Sequence, residues 1–495
     1  MRDGLLSMVE ACDLSAIEAR RLIGAKALSP VELVESCIRR IETIDHAINA
    51  MVARDFDRAR AAAREAEAAV MRGATLGALH GLPIGIKDLE DTEGLRTTYG
   101  SIRFAHHVPR ADQLLVKTIR AAGGIVLGKT NTPEFGAGAN TINAVYGATG
   151  NPFDPLKSAA GSSGGSAAAL ATSMVSLASG SDMGGSLRNP AAFCGIVGMR
   201  PSPGVVPSEK RLLGASGLSV LGPMARSVDD LSLLFGAIEA IDTRDMLSPP
   251  ARERFVGAPI DLSSLRVAYS ADLGFAPTSA AIRSCFDSKI AQLAPLFNRP
   301  AAAHPDCAGA DESFAVLRAV NFLAAFLEPY QRDPNSVGPN IRANLEEGLR
   351  YSATDVARAL ALQTALYHRW QHFFVDYDLL ITPTVTITPR PWTELFPASI
   401  DDVPTRSYYH WLALVYAVTL AGHPALSLPL GCDQSGMPFG LQLIAPRHQD
   451  HRLIAIARAI EAATAHQPTL SRPLPDIQKL AQAAPLSSVP GFKTL

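Results

Sequence analysis

The chain is poor in cysteine: six among 495 residues, at Cys12, Cys37, Cys194, Cys285, Cys307 and Cys432, with no CxxC pair. This excludes a disulfide framework and leads us to expect free thiols in a reducing, cytoplasmic setting. Net charge is scarce too. Lys and Arg total 45 and Asp and Glu 47, which leaves −2: no basic footprint for nucleic acid and no acidic tail. No apolar run reaches the roughly 18–20 residues that a membrane span needs. The opening MRDGLLSMVEACDLS has early acids and no long apolar centre, so no secretory leader is expected. Metal-ligand spacing of the His-Glu-x-x-His or paired CxxC kind is missing, and His448, Asp450 and His451 read as one solvated helix face. We therefore expect no metal, no cofactor, no nucleic acid and no membrane partner.

Glycine and serine, by contrast, are concentrated in one place. Residues 158–190 read SAAGSSGGSAAALATSMVSLASGSDMGGSLRNP, with clusters at Gly161–Ser166 and Gly180–Ser186 around an alanine-rich helix candidate. Glycine-dense backbone loses extra entropy on folding, so two clusters this close need a reason. Either a ligand approaches the backbone, or several N–H groups converge on one anion, as Gly184-Gly185-Ser186 could do for a developing oxyanion. Asp182 and Arg188 stand around the second cluster.

The surrounding chain alternates helix and strand signals. Asp13-Leu14-Ser15 opens a helix candidate to about Ile23, and Ser29-Pro30-Val31-Glu32 is a capping box with proline at the first helical position. Residues 54–72 and 111–121 read as helix, and 82–87 and 124–128 as buried strands. Lys87 ends the first of these strands, next to Asp88; such a lysine is ordinarily an edge charge or a snorkelling side chain. Lys129, after the second strand, reads as structural, and His80 likewise. Residues 245–262 look like a connector. From 280 to 410, helix candidates alternate with turns such as Asp333-Pro334-Asn335, and Phe322, Phe326, Trp370, Phe373, Phe374, Trp392 and Trp411 are candidates for core or pocket. Strands are expected near 377–384, 424–429 and 438–444, then a helix over 449–465 and an irregular proline-rich tail.

These motifs together resemble the amidase signature enzymes. The family pattern has a Gly-Ser-Ser-Gly-Gly loop, here Gly161–Gly165, and a Gly-x-Asp-x-Gly-Gly-Ser-x-Arg-x-Pro loop, here Gly180–Pro190. The separation of Ser162 from Ser186 fits, as does Gly81-Leu82-Pro83-Ile84-Gly85-Ile86-Lys87-Asp88. The resemblance covers residues 15–240 and 377–465. One departure is Ala160, where the family usually has glycine; alanine tolerates positive φ poorly, so the loop entry is expected to differ locally.

The resemblance implies a single large mixed β-sheet sandwiched between α-helices in one domain spanning 1–495. That domain would have a helical region over 1–75, a signature core over 76–240, a substrate-shaping region over 280–410 and a core-completing part over 377–465. It also implies an amidase acting through a serine acyl-enzyme on a small-molecule amide, with carbamates or esters as further substrates and a homodimer left open. Ser186 would be the nucleophile, Lys87 the base, and Ser162, on a cis peptide, the proton relay. The N–H groups of Met183, Gly184, Gly185 and Ser186 would form the oxyanion hole, with Asp182, Arg188 and Ser163 in support.

Other readings compete. Gly161–Gly165 also fits the Gly-x-Ser-x-Gly elbow of another hydrolase class, with Ser163 as nucleophile, but that elbow follows a strand and residues 151–160 look turn-like. The glycine loops lack the following Gly-Lys-Ser/Thr of a phosphate loop. Within the family, the amidotransferase subunit that amidates misacylated transfer RNA is the alternative. Asn189 stands where that subunit is expected to have glutamine.

Overall fold

Ser29 starts the first long helix as its neighbours dictate. In the computed structural model, which describes residues 10–249 and 260–493, Pro30–Ile48 is helical and the Ser29/Glu32 capping box is formed. The helix before it, Ala16–Gly24, begins later than the sequence suggests. Ser15 caps it by accepting from Glu18 N, and residues Ala11–Asp13 form a separate short turn of helix. Phe56–Met71 follows, with Asp55 accepting from Arg58 N. Side-chain oxygens thus take up N–H groups that the first helical turn leaves unpaired.

An eleven-stranded sheet forms the centre. One half runs, in spatial order, Met51–Arg54, Ile125–Thr130, Pro83–Lys87, Leu177–Asp182, Val220–Ala225 and Val197–Arg200. The other half continues Ala425–Cys432, Pro438–Ile444, Leu379–Pro383, Val267–Tyr269 and Ala301–Ala302. The pairing is mixed. Pro83–Lys87 lies parallel to both of its neighbours, whereas Leu177–Asp182 is antiparallel to Val220–Ala225. Alternate strand residues enter different cores. Ile84, Ile86, Val126 and Leu177 join one apolar cluster, and Ile125, Leu127 and Ala178 join another on the opposite face. A sheet buried on both faces in this way is what helices on both sides require.

Two expectations change. The tail is not simply irregular: Ile477–Gln482 is a helix capped by Asp476, and Leu470, Leu480 and Leu486 are buried. These few leucines supply the apolar contact that a composition rich in proline hides. Residues 151–160 are not all turn, because Gly150–Asn151 pairs with Asp154–Ser158 as a small hairpin. Trp370, Trp392 and Trp411, candidates for core or pocket, are core residues, each at most 1% exposed. The connector expected over 245–262 has its middle, residues 250–259, outside the described residues.

Candidate active site

Two adjacent parallel strands end side by side and deliver the chemistry. Pro83–Lys87 ends in Lys87, and Leu177–Asp182 ends in Ser181 and Asp182. Lys87 N donates to Ser179 Oγ at 3.1 Å, which fixes the strand end. The Lys87 ammonium is fully buried and donates to Ser162 Oγ at 2.8 Å, Ser163 Oγ at 2.8 Å and Ser181 Oγ at 2.9 Å. All three partners are neutral. Burial therefore dominates and pushes the lysine down from 10.5 to about 7, against the opposing pull of the Glu90 and Asp182 carboxylates.

The first glycine loop reaches Lys87 through a cis Gly161–Ser162 peptide and then starts the helix Gly164–Ala171. Its glycines are required by packing, not by ligand approach. A Cβ on Gly165 would lie 2.2 Å from Asn131 N, and one on Gly164 would lie 2.3 Å from Thr141 Oγ1. Ala160 takes φ 57°, the left-handed conformation that glycine favours. This costs alanine about 1–2 kcal/mol. The Ala160 carbonyl is held there by Thr141 N at 3.0 Å and Thr141 Oγ1 at 2.7 Å. The loop entry thus keeps a glycine-like geometry despite the substitution.

The second loop is braced by a buried ion pair. Arg188 donates to Asp182 through Nε at 3.0 Å and Nη2 at 2.8 Å, and both side chains are fully buried. Arg200 Nη1 donates to the Asp182 carbonyl at 2.7 Å. Burial disfavours the Asp182 carboxylate, but the Arg188 and Arg200 guanidiniums and the Gly185 N–H outweigh it and hold the carboxyl well below the ordinary range. Gly185 N donates to Asp182 Oδ1 at 3.0 Å and Leu187 N to Asp182 Oδ2 at 3.1 Å. The Gly185 N–H is therefore engaged with Asp182, which leaves Met183, Gly184 and Ser186 of the four expected oxyanion donors. Gly185 itself is at φ 94°, and a Cβ there would lie 2.5 Å from Val415 Cγ2.

Ser162, Ser181, Met183, Gly184 and Ser186 line one cavity of about 110 Å³. Phe135, Met183, Ser219 and Phe322 also border an outer cavity of about 340 Å³, to which Phe326 and Asn321 contribute. Lys87, Ser162, Ser163, Asp182, Ser186 and Arg188, the side chains expected from the sequence, all gather around these loops. Ser181 and Ser179 join them unexpected. In a strand, residues two apart share a face, so the Leu177–Asp182 pattern puts both serines on the side of Lys87. Arg318 also lines the inner cavity and gave no signal in the sequence. The remaining candidates sit elsewhere: Lys129 donates to Thr92 Oγ1 at 3.1 Å and to the Glu90 carbonyl, and His80 Nε2 lies 3.0 Å from the Ala66 carbonyl. His451, expected on a solvated face, is hydrogen-bonded to Glu239 Oε2 at 2.8 Å.

Fold, cluster and cavity agree with what similar proteins do: the chain is an enzyme that hydrolyses carbon–nitrogen bonds. It belongs to the amidase family, whose pattern matches residues 32–454. It is 33% identical to an acylamidase of Rhodococcus erythropolis over 455 residues, covering 91% of this chain and 95% of that protein. It is 35% identical to a glutamyl-tRNA(Gln) amidotransferase subunit of Thermus thermophilus over 476 residues, 91% of this chain and 97% of that one. Among solved structures, a bacterial aryl acylamidase of the amidase signature family superposes with a TM-score of 0.86 at 26% identity, covering 95% of this chain and 99% of that one.

Proposed function

We propose that the enzyme cleaves small-molecule amides through an acyl-enzyme on Ser186, with Lys87 as base and Ser162 as relay. The observation that carries this is the fully buried Lys87 amine, 2.8 Å from Ser162 Oγ and hydrogen-bonded to the hydroxyls of Ser162, Ser163 and Ser181. As an ammonium it has three N–H donors for three oxygens; as a neutral amine it keeps two and offers a lone pair. The neutral amine must then accept a hydrogen bond from one of the hydroxyls. The Ser163 hydroxyl is already directed at the Ser181 carbonyl, at 3.5 Å. Ser162 and Ser181 both line the cavity, and the resemblance of Gly161–Gly165 to the family pattern supports Ser162.

In the reaction, Ser186 Oγ attacks the amide carbon and gives its proton to Ser162, which passes its own to Lys87. The N–H groups of Met183, Gly184 and Ser186 stabilise the oxyanion. The proton then returns through Ser162 to the departing nitrogen, because an amide anion is a poor leaving group. Water cleaves the acyl-enzyme by the same route. We also read residues 1–495 as one catalytic domain, a reading supported by a sheet whose strands run from Met51 to Ile444.

The substrate class we favour includes aryl and alkyl amides, because Phe135, Phe322 and Phe326 border the outer cavity and one relative is an aryl acylamidase. The test is a panel of aliphatic amides, anilides, carbamates and esters assayed with the purified chain. Turnover of amides that is lost in Ser186→Ala supports the reading, and undiminished turnover in that variant defeats it. The 35% identity to an amidotransferase component favours a second reading, in which the chain works within a complex. Asn189 argues against it: its Nδ2 braces the Gly184 carbonyl at 3.2 Å, at the position where such a component is expected to carry glutamine. Amide turnover by the isolated chain, with no copurifying partner proteins, separates the two.

A further inference from the structure

Arg318 lies in the helix Ala310–Arg332 and lines the same inner cavity as Ser186, yet it is only 5% exposed. A guanidinium cannot shed its charge, so one this buried normally has a carboxylate beside it. The other charged residues of the two cavities follow that rule: Lys210 is paired with Asp91, and Arg211 with Asp245. Arg318 has no such partner among the described residues. Its Nε donates to Asn344 Oδ1 at 3.0 Å and to Tyr408 Oη at 3.1 Å, and Nη2 also donates to Tyr408 Oη. Both acceptors are neutral. Nη1 has one protein partner, the Met183 sulfur at 3.7 Å, which is a weak acceptor.

The rings around it complete a holder for the cation. Phe322 lies 4.9 Å, Tyr408 5.1 Å, Tyr409 5.4 Å and Phe314 5.8 Å from the guanidinium carbon. Asn344 and Tyr408 fix the Nε–Nη2 edge and leave the Nη1 edge beside Met183, in the wall of the cavity. The site is thus built around a positive charge that no described residue neutralises, beside Ser186 in the same cavity.

We propose that Arg318 binds a carboxylate of the substrate, so that the amides this enzyme prefers carry a free carboxylate on the acyl or the amine portion. The inference rests on Ser186 being the nucleophile of this cavity. A dry, rigidly held guanidinium selects an anion strongly, because leaving it unpaired against a neutral analogue forfeits a charge-assisted hydrogen bond.

The test compares ω-carboxyalkanoyl 4-nitroanilides and N-acyl amino acids with uncharged isosteres of equal length. We expect the carboxylate compounds of at least one of these two series to be favoured in kcat/KM by about tenfold to a hundredfold, the range of a hydrogen bond to a charged group. In Arg318→Gln the ratio should fall to near one, with turnover of the neutral compounds recording any general damage; Arg318→Lys should recover part of the ratio. A wild-type enzyme that treats both members of every pair alike, or an Arg318→Gln enzyme that keeps the preference, overturns the proposal. Should Arg318→Gln fail to fold, calorimetric titration of wild-type protein with the two members of a pair decides: tighter binding of the anion supports Arg318, and equal binding rejects it. If no amide of either kind is turned over, the amidase reading fails, and the same titration still judges the arginine.

Discussion

Two lysines on neighbouring parallel strands meet opposite fates. Lys87 ends Pro83–Lys87, and Lys129 lies in Ile125–Thr130, in register with Ile86. Both are fully buried. Lys87 is surrounded by the hydroxyls of Ser162, Ser163 and Ser181. Lys129 donates to the Glu90 carbonyl and Thr92 Oγ1, with the Asp88 and Glu90 carboxylates acting on it from further away. Burial lowers both, Lys87 to about 7, and the Asp88 and Glu90 carboxylates oppose the change at Lys129. For Glu90 burial acts the other way and raises it, countered by Lys129 and Lys87. Burial alone therefore does not tell the two lysines apart; neutral hydroxyl partners, two of them lining a cavity, distinguish Lys87.

The comparison breaks most sharply if the wrong lysine matters. Lys87→Ala and Ser186→Ala should each lower amide turnover by about 10⁴-fold or more, because residues that act as a unit fail together. Ser162→Ala should be comparably severe. Lys129→Met should instead act on stability. Removing it leaves Asp88 and Glu90 without their buried countercharge, a loss on the order of 3 kcal/mol in denaturant unfolding. The double variant Lys129→Met/Glu90→Gln should recover part of that loss, and non-additivity of the two changes is the readout. Turnover per folded Lys129→Met molecule falling as far as in Lys87→Ala would erase the distinction.

Smaller effects sharpen it. Ser163→Ala should lose about tenfold to a hundredfold, since Ser163 holds Lys87 and the Ser181 backbone but does not line the inner cavity as Ser162 and Ser186 do. A loss equal to that of Ser186→Ala would revive Ser163 as nucleophile. A chelator should leave turnover unchanged; loss restored by zinc would contradict a metal-free mechanism.

The Lys87 side of the comparison was legible in the sequence because its parts are local motifs. Gly-x-Pro-x-x-x-Lys-Asp, Gly161–Gly165 and Gly180–Pro190 each place residues by fixed spacing. The capping box at Ser29 and the buried strands were legible for the same reason. Contacts made across the fold were not. The engagement of Gly185 N by Asp182 depends on how the second loop curls. Arg318 enters the cavity from a helix far along the chain, where neither period nor motif marks it. The tail helix Ile477–Gln482 escaped because its anchor is a single buried leucine, Leu480.

If neutral Lys87 activates Ser186, the pH dependence of Ser186 acylation follows the deprotonation of Lys87. A fluorophosphonate would be reacted with the enzyme across pH and the adduct located by peptide mass spectrometry. Deprotonation supplies the base, so the rate should rise with pH through a midpoint near 7 and then level off. Lys129→Met should keep that curve and Lys87→Ala should lose it. An adduct on Ser163, or a stable enzyme whose rate peaks at about pH 5 and falls by about pH 8 as a carboxylate base would have it, would contradict the account.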